Sequence, residues 1–203
     1  MLKRVCVYCG SGVGGHDGYA DAARALGRTL VERKIGLVFG GGRIGMMGFL
    51  AETVLAGGGE AIGVIPKHLE EKGLALTSVT SLRVVQTMHE RKALMAELSD
   101  AFIAMPGGYG TAEEFFEALT WAQLSLHAKP CGLLNTKDYF DHLIAFVDHA
   151  VQEGFIHPAH RDLMLVDDSA AVLLEKLISY VPPAAASKVM WALHETGRGR
   201  PGA

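Results

Sequence analysis

Ala101-Phe102-Ile103-Ala104-Met105-Pro106-Gly107-Gly108-Tyr109-Gly110-Thr111-Ala112-Glu113-Glu114 reads as an apolar strand, a glycine-rich turn and the start of a helix. Five apolar residues ending at Pro106 suit a strand covered on both faces. From Thr111 to Leu124 the apolar residues recur at three- and four-residue spacing, the period of a helix with one face in the core. A buried strand that feeds a helix through a tight turn is half of a βαβ unit, so the rest of the chain is expected to repeat it.

It does so in both directions. Arg4–Cys9, Gly36–Phe39, Ala61–Pro66, Ser81–Gln86, Pro130–Leu134 and Leu163–Val166 read as further strands. Between them Tyr19–Arg33, Ile44–Ala56, His89–Leu98, Tyr139–Glu153 and Ser169–Ser179 carry helical periodicity. The alternation predicts a Rossmann-like three-layer α/β/α fold with a mostly parallel sheet of about seven strands. One domain is expected over residues 1–180. Residues 181–203, with Pro182-Pro183 and a Gly/Arg-rich end, are expected to form a partly disordered tail, in which Val189, Met190 and Leu193 make one apolar turn.

Of 203 residues, 49% are apolar and 20% charged, and the net charge is −3. That balance suits a globular chain and argues against a broad basic surface for nucleic acid. No apolar run reaches the roughly 18 residues of a membrane helix, so neither a membrane span nor a secretion signal is expected. Three cysteines cannot all pair. Cys6 and Cys9 lie three apart on a strand and so point to opposite faces, which reads as buried thiols in a reducing cytoplasm.

Several strands end in glycine turns, and ligands of open parallel sheets bind beyond those carboxyl ends. Gly40-Gly41-Gly42-Arg43-Ile44-Gly45 has the Gly-x-Gly-x-x-Gly form, with Glu60 twenty residues past Gly40. For a dinucleotide, that acid belongs at the carboxyl end of the next strand. Glu60 instead precedes Ala61–Pro66, at the far edge of the sheet. The turn is therefore expected to serve a mononucleotide or to pack its helix, with Arg43 either meeting a ligand oxygen or standing in solvent.

The turn Gly107-Gly108-Tyr109-Gly110-Thr111 carries more. Its glycines let backbone N–H groups converge, the helix dipole adds positive character, and Thr111 supplies a hydroxyl, so a phosphate fits there. A plainer reading makes Thr111-x-x-Glu114 a capping box. Neighbouring helix residues diverge by about 100°, so only one of Glu113 and Glu114 is expected to face the site, and spacing alone does not choose. Met88-His89-Glu90-Arg91-Lys92 opens a helix at the same sheet edge. Two cations at a helix start either sit on the surface or answer an anionic partner. His89-Glu90 lacks the second histidine of a zinc-protease motif, and His157-x-x-His160 has no evident third ligand, so no metal is expected.

Pro106–Glu114 is similar to the PGGxGTxxE signature of the Lonely guy (LOG) phosphoribohydrolases, a family that activates cytokinins and was long mislabelled as lysine decarboxylases. Cys9-Gly10-Ser11 and Gly40 through Gly48 resemble its other glycine turns, and the likeness spans about residues 3–180. The resemblance implies Glu114 and Arg91 as catalytic residues. It implies a substrate site of Gly107, Gly108, Gly110, Thr111, Met88, Lys92, Glu113, Ser11 and Arg43, although the family's pattern has a small residue in place of Arg43. It implies hydrolysis of a cytokinin riboside 5′-monophosphate or AMP to free base and ribose 5-phosphate, without cofactor, by a homodimer whose second subunit helps to close the pocket. The helix N-terminus is expected to keep Glu114 ionised at neutral pH. Two rivals stand beside it: a non-catalytic carrier or sensor of a nucleotide-like ligand, and a pyridoxal-phosphate decarboxylase, for which Lys92 is the lysine nearest the cleft.

Overall fold

Val5 and Val7 of strand β1 (Arg4–Tyr8) pack on one face of the sheet and Cys6 and Tyr8 on the other, as period-two alternation requires. In this computed structural model, which describes residues 2–183, six strands join it: β2 (Gly36–Phe39), β3 (Ala61–Pro66), β4 (Ser81–Val85), β5 (Ala101–Ala104), β6 (Cys131–Leu134) and β7 (Met164–Asp167). The order is β4-β3-β2-β1-β5-β6-β7 and every pairing is parallel. The Rossmann-like α/β fold is as expected, with a sheet parallel throughout rather than mostly so.

Helices cover both faces because the crossovers of parallel strands must return over the sheet. Helices α1 (Asp17–Glu32), α2 (Gly45–Ala56) and α8 (Ala170–Ile178) bury Leu26, Leu30, Leu50, Val54 and Leu173 against Val5, Val7, Leu37 and Ile103. Helices α4 (Met88–Glu97), α5 (Tyr109–Gln123) and α6 (Asp141–Gln152) bury Met95, Phe115, Ala118 and Val147 against Val38, Phe102 and Leu133. Each buried Leu, Val, Phe or Met among them contributes about 2 kcal/mol. Two short helices, α3 (Lys67–Glu70) and α7 (Pro158–Arg161), escaped the sequence reading. They are too brief to show a period.

The strand order reverses between β1 and β5, and their following helices α1 and α5 leave to opposite faces. A crevice therefore opens at the carboxyl ends of those two strands. Glu60 lies at the other edge, where its carboxylate accepts from Arg4 Nε at 2.7 Å and is held below the usual range by that hydrogen bond. A ribose-binding role is thus closed to it. Cys6 and Cys9 face opposite sides, and all three cysteines are buried and free. No helix among the described residues is long and apolar enough to cross a membrane. The expected turn at Val189, Met190 and Leu193 lies outside the described residues.

Candidate active site

The carboxyl ends of β1, β2, β3 and β5 surround a cavity of about 430 Å³, within the roughly 300–1,000 Å³ of small-molecule sites. Gly10 and Ser11 enter it from the β1 turn, Gly40 and Gly42 from the β2 turn, and Gly108, Tyr109, Gly110 and Thr111 from the start of α5. Ile44, Met47, Ile65, Leu69, Leu74 and Met88 give one side of it an apolar lining. Two charged groups stand deep in the wall, Arg91 and Glu114, each only 9% exposed.

Arg91 reaches the site because α4 begins there under a cap: Thr87 Oγ1 accepts from Glu90 N at 3.1 Å, and Glu90 Oε2 from Gln86 N at 2.8 Å. One turn into the helix, the Arg91 guanidinium is fastened to the sheet. Nε donates to Val64 O at 3.0 Å and Nη2 to Gly40 O at 2.9 Å. A β-carbon on Gly40 would stand 1.9 Å from Nη2, so only glycine admits this approach. The third nitrogen, Nη1, lies 3.5 Å from Glu114 Oε1. Nη1 also makes a weak contact to Met88 Sδ at 4.0 Å, so four of the five N–H groups are directed and one on Nη2 is left for a ligand.

Glu114 belongs to α5, whose N-cap is Gly108 rather than Thr111. The helix starts two residues earlier than its periodicity predicts, so Thr111-x-x-Glu114 is no capping box. Thr111 and Glu114 sit inside the first two turns, buried and facing the cavity. Burial sets the proton affinity of Glu114. Loss of water outweighs the attraction of Arg91 and pushes the carboxyl up to about 7. This corrects the expectation that the helix N-terminus keeps it ionised at neutral pH.

Lys92 is buried beside Arg91 but points elsewhere. Its ammonium donates to Glu113 and, at 3.1 Å, to Glu117, clamping α4 to α5. Burial pulls Lys92 down, and the two carboxylates more than offset it, holding it above the ordinary lysine value. Lys92 does not line the cavity, nor does any other lysine among the described residues. No amine is thus presented for a Schiff base. Glu113 borders the cavity while paired to Lys92.

A family model described as possible lysine decarboxylase matches residues 47–177. The cytokinin riboside 5′-monophosphate phosphoribohydrolase LOG1 of Arabidopsis thaliana is 50% identical over 198 residues, 97% of this chain and 93% of its own length. A probable enzyme of the same name, LOGL9 of Oryza sativa subsp. japonica, is 55% identical over 181 residues, 89% of this chain and 80% of its own. The chain belongs to the LOG family. Solved structures extend the likeness of fold. The molybdenum cofactor binding protein of Rippkaea orientalis matches with TM-score 0.67 at 21% identity, over 88% of this chain and 97% of that one. The molybdenum cofactor carrier protein of Chlamydomonas reinhardtii matches with TM-score 0.65, over 89% and 100%.

In this LOG-family chain the cavity gathers Glu114, Arg91, Glu113, Met88, Ser11, Gly108, Gly110 and Thr111. Gly107 lines a neighbouring cavity of about 410 Å³ that shares Gly10, Ser11 and Gly108 with the first. A β-carbon there would strike Thr111 Oγ1 at 2.1 Å, so Gly107 serves the turn by its smallness. Arg43 stays outside. Its Nε donates to Gly73 O at 2.8 Å on the surface, bracing the chain segment at Gly73–Leu76. That segment pairs with the β2 turn through Leu76 N to Gly41 O at 2.9 Å and a bridge between Gly42 and Ala75. With α3 it contributes Leu69 and Leu74, cavity residues that sequence reading missed. The one available signal was Leu69 inside the charged run from Lys67 to Lys72, with Leu74 and Leu76 just after it.

Proposed function

We propose that this chain hydrolyses the N-glycosidic bond of a cytokinin riboside 5′-monophosphate or AMP, releasing free base and ribose 5-phosphate. The observation that carries the reading is the deep pairing of Glu114 with Arg91 directly below the glycine turn of Gly107–Thr111. The backbone N–H groups and helix dipole of that turn grip the 5′-phosphate, which lays the ribose across Glu114. As the C1′–nitrogen bond lengthens, positive charge grows on the ribose, and ionised Glu114 stabilises it while taking a proton from the water that bonds C1′. The base leaves with its bonding pair and gains a proton. Arg91 holds Glu114 in place and offers its remaining N–H to substrate oxygen. The apolar lining from Ile44, Met47, Leu69 and Leu74 suits a base that carries a hydrocarbon substituent.

A single domain over residues 1–180 is taken to carry this site, since its walls come from elements of one sheet. Ser11, Gly107 and Glu113 complete the substrate-binding set. Lys92 acts by clamping α4 to α5 and Arg43 by bracing a wall. A homodimer fits the 97% exposure of Tyr109 at the cavity rim, where a partner surface would close the pocket, and sedimentation would read it as twice the chain mass. Three free buried thiols suit a cytoplasmic setting.

The test is release of free base from AMP and from isopentenyladenosine 5′-monophosphate, with the unphosphorylated nucleosides as controls and with and without chelator. Base release is expected from one or both nucleotides, insensitive to chelator and at least about a hundredfold weaker in kcat/KM without the phosphate. Tight binding with no base release would support a carrier instead.

A further inference from the structure

The connection from β6 to α6 holds two consecutive non-glycine residues in the left-handed region, Lys137 at φ 53° and Asp138 at φ 57°. Such backbone is strained and persists where its surroundings hold it. Here Asn135 does so, accepting from Phe140 N at 2.7 Å and donating to Asp141 at 2.8 Å. The turn buries Phe140, which accounts for its packing. It also delivers Tyr139, which stays 42% exposed, edge-on between Tyr19 and Phe140. The Tyr139 hydroxyl donates to Gly107 O at 2.5 Å.

That bond fixes a peptide of the proposed phosphate turn. A trans peptide is planar, so its N–H points opposite to its C=O. With the Gly107 carbonyl drawn to Tyr139, which lines the neighbouring cavity, the Gly108 N–H is turned away from Tyr139, at a residue that borders both cavities. The preceding carbonyl is tied as well, since Pro106 O accepts from Gly10 N at 3.0 Å. Both oxygens that would repel an anion are thereby held away, and the glycines alone would allow either peptide to flip. We propose that Tyr139 is a positioning residue for the phosphate grip, orienting the Gly107–Gly108 peptide so that its N–H faces the substrate's 5′-phosphate. This rests on the reading that the turn binds that phosphate.

The test is Tyr139→Phe, which keeps the ring between Tyr19 and Phe140 and removes only the hydroxyl. Calorimetric Kd for ribose 5-phosphate and KM for AMP are expected to rise roughly three- to tenfold, the effect of one hydrogen bond. The kcat should stay within about twofold, and adenosine affinity and Tm should not change. Tyr139→Leu should weaken ribose 5-phosphate at least as much. An unchanged Kd for ribose 5-phosphate in either folded variant overturns the proposal, as does equal weakening of adenosine and ribose 5-phosphate, which would mark a merely structural role. If wild type binds ribose 5-phosphate and Tyr139→Phe weakens it while no base is ever released, the positioning role stands and the hydrolase reading fails.

Discussion

At Glu114 burial and Arg91 pull in opposite directions, and burial prevails. A carboxyl near 7 in the folded chain and near the ordinary 4.5 when unfolded has a definite consequence for stability. Below about pH 4.5 it is protonated in both states and costs nothing. Between 4.5 and 7 the unfolded state ionises first, and above 7 the folded state carries a buried charge at its full cost, on the order of 3 kcal/mol. Glu114→Gln, which mimics the neutral acid, is therefore expected to melt above wild type at pH 8, with the gap closing as pH falls to 4.5. Thermal melts across that range check it, and a gap that widened toward acid would contradict the assigned burial. With Glu114 in its proposed role the ionised form acts, so the rising limb of wild-type kcat/KM is expected near pH 7.

At the scale of elements, four helix ends show how local sequence sets the frame. After α1, Lys34 N donates to Val31 O and Ile35 N to Leu30 O, with Lys34 at φ 57°. This is a Schellman ending with lysine at the position that favours glycine. The same pattern follows α2 and α6 at Gly58 and Gly154, and α5 at Ser125. Lys34→Gly should relieve the left-handed penalty and stabilise by about 1 kcal/mol, raising Tm by about 2–4 °C; a lower Tm would refute the assignment. Long elements such as α1 and β3 were legible because a dozen residues of period 3.6, or a run such as Ala61–Pro66, outweigh local noise. Lys92 was not legible in role, since sequence gives a helix its period but leaves its phase against neighbours open. Nor was the Gly73–Leu76 wall, whose partner is backbone at Gly41–Arg43 rather than any pattern of side chains. The pKa of Glu114 was out of reach for the same reason: it depends on water excluded by residues distant in sequence.

On the scale of the whole molecule, the reversal of strand order between β1 and β5 brings three glycine turns, one arginine and two glutamates to a single crevice. The fold is shared with molybdenum cofactor carriers at 21% identity, so architecture does not choose between holding a ligand and cutting it. The proposed role of Glu114 is what separates the two. The deciding measurement is a single turnover of AMP and of isopentenyladenosine 5′-monophosphate by wild type and by Glu114→Gln, with nucleotide binding measured on both proteins. Glu114→Gln is expected to bind within a few-fold of wild type yet release base roughly 100- to 1,000-fold more slowly, the loss that follows removal of a key stabilising group. Base release by Glu114→Gln at the wild-type rate would contradict it.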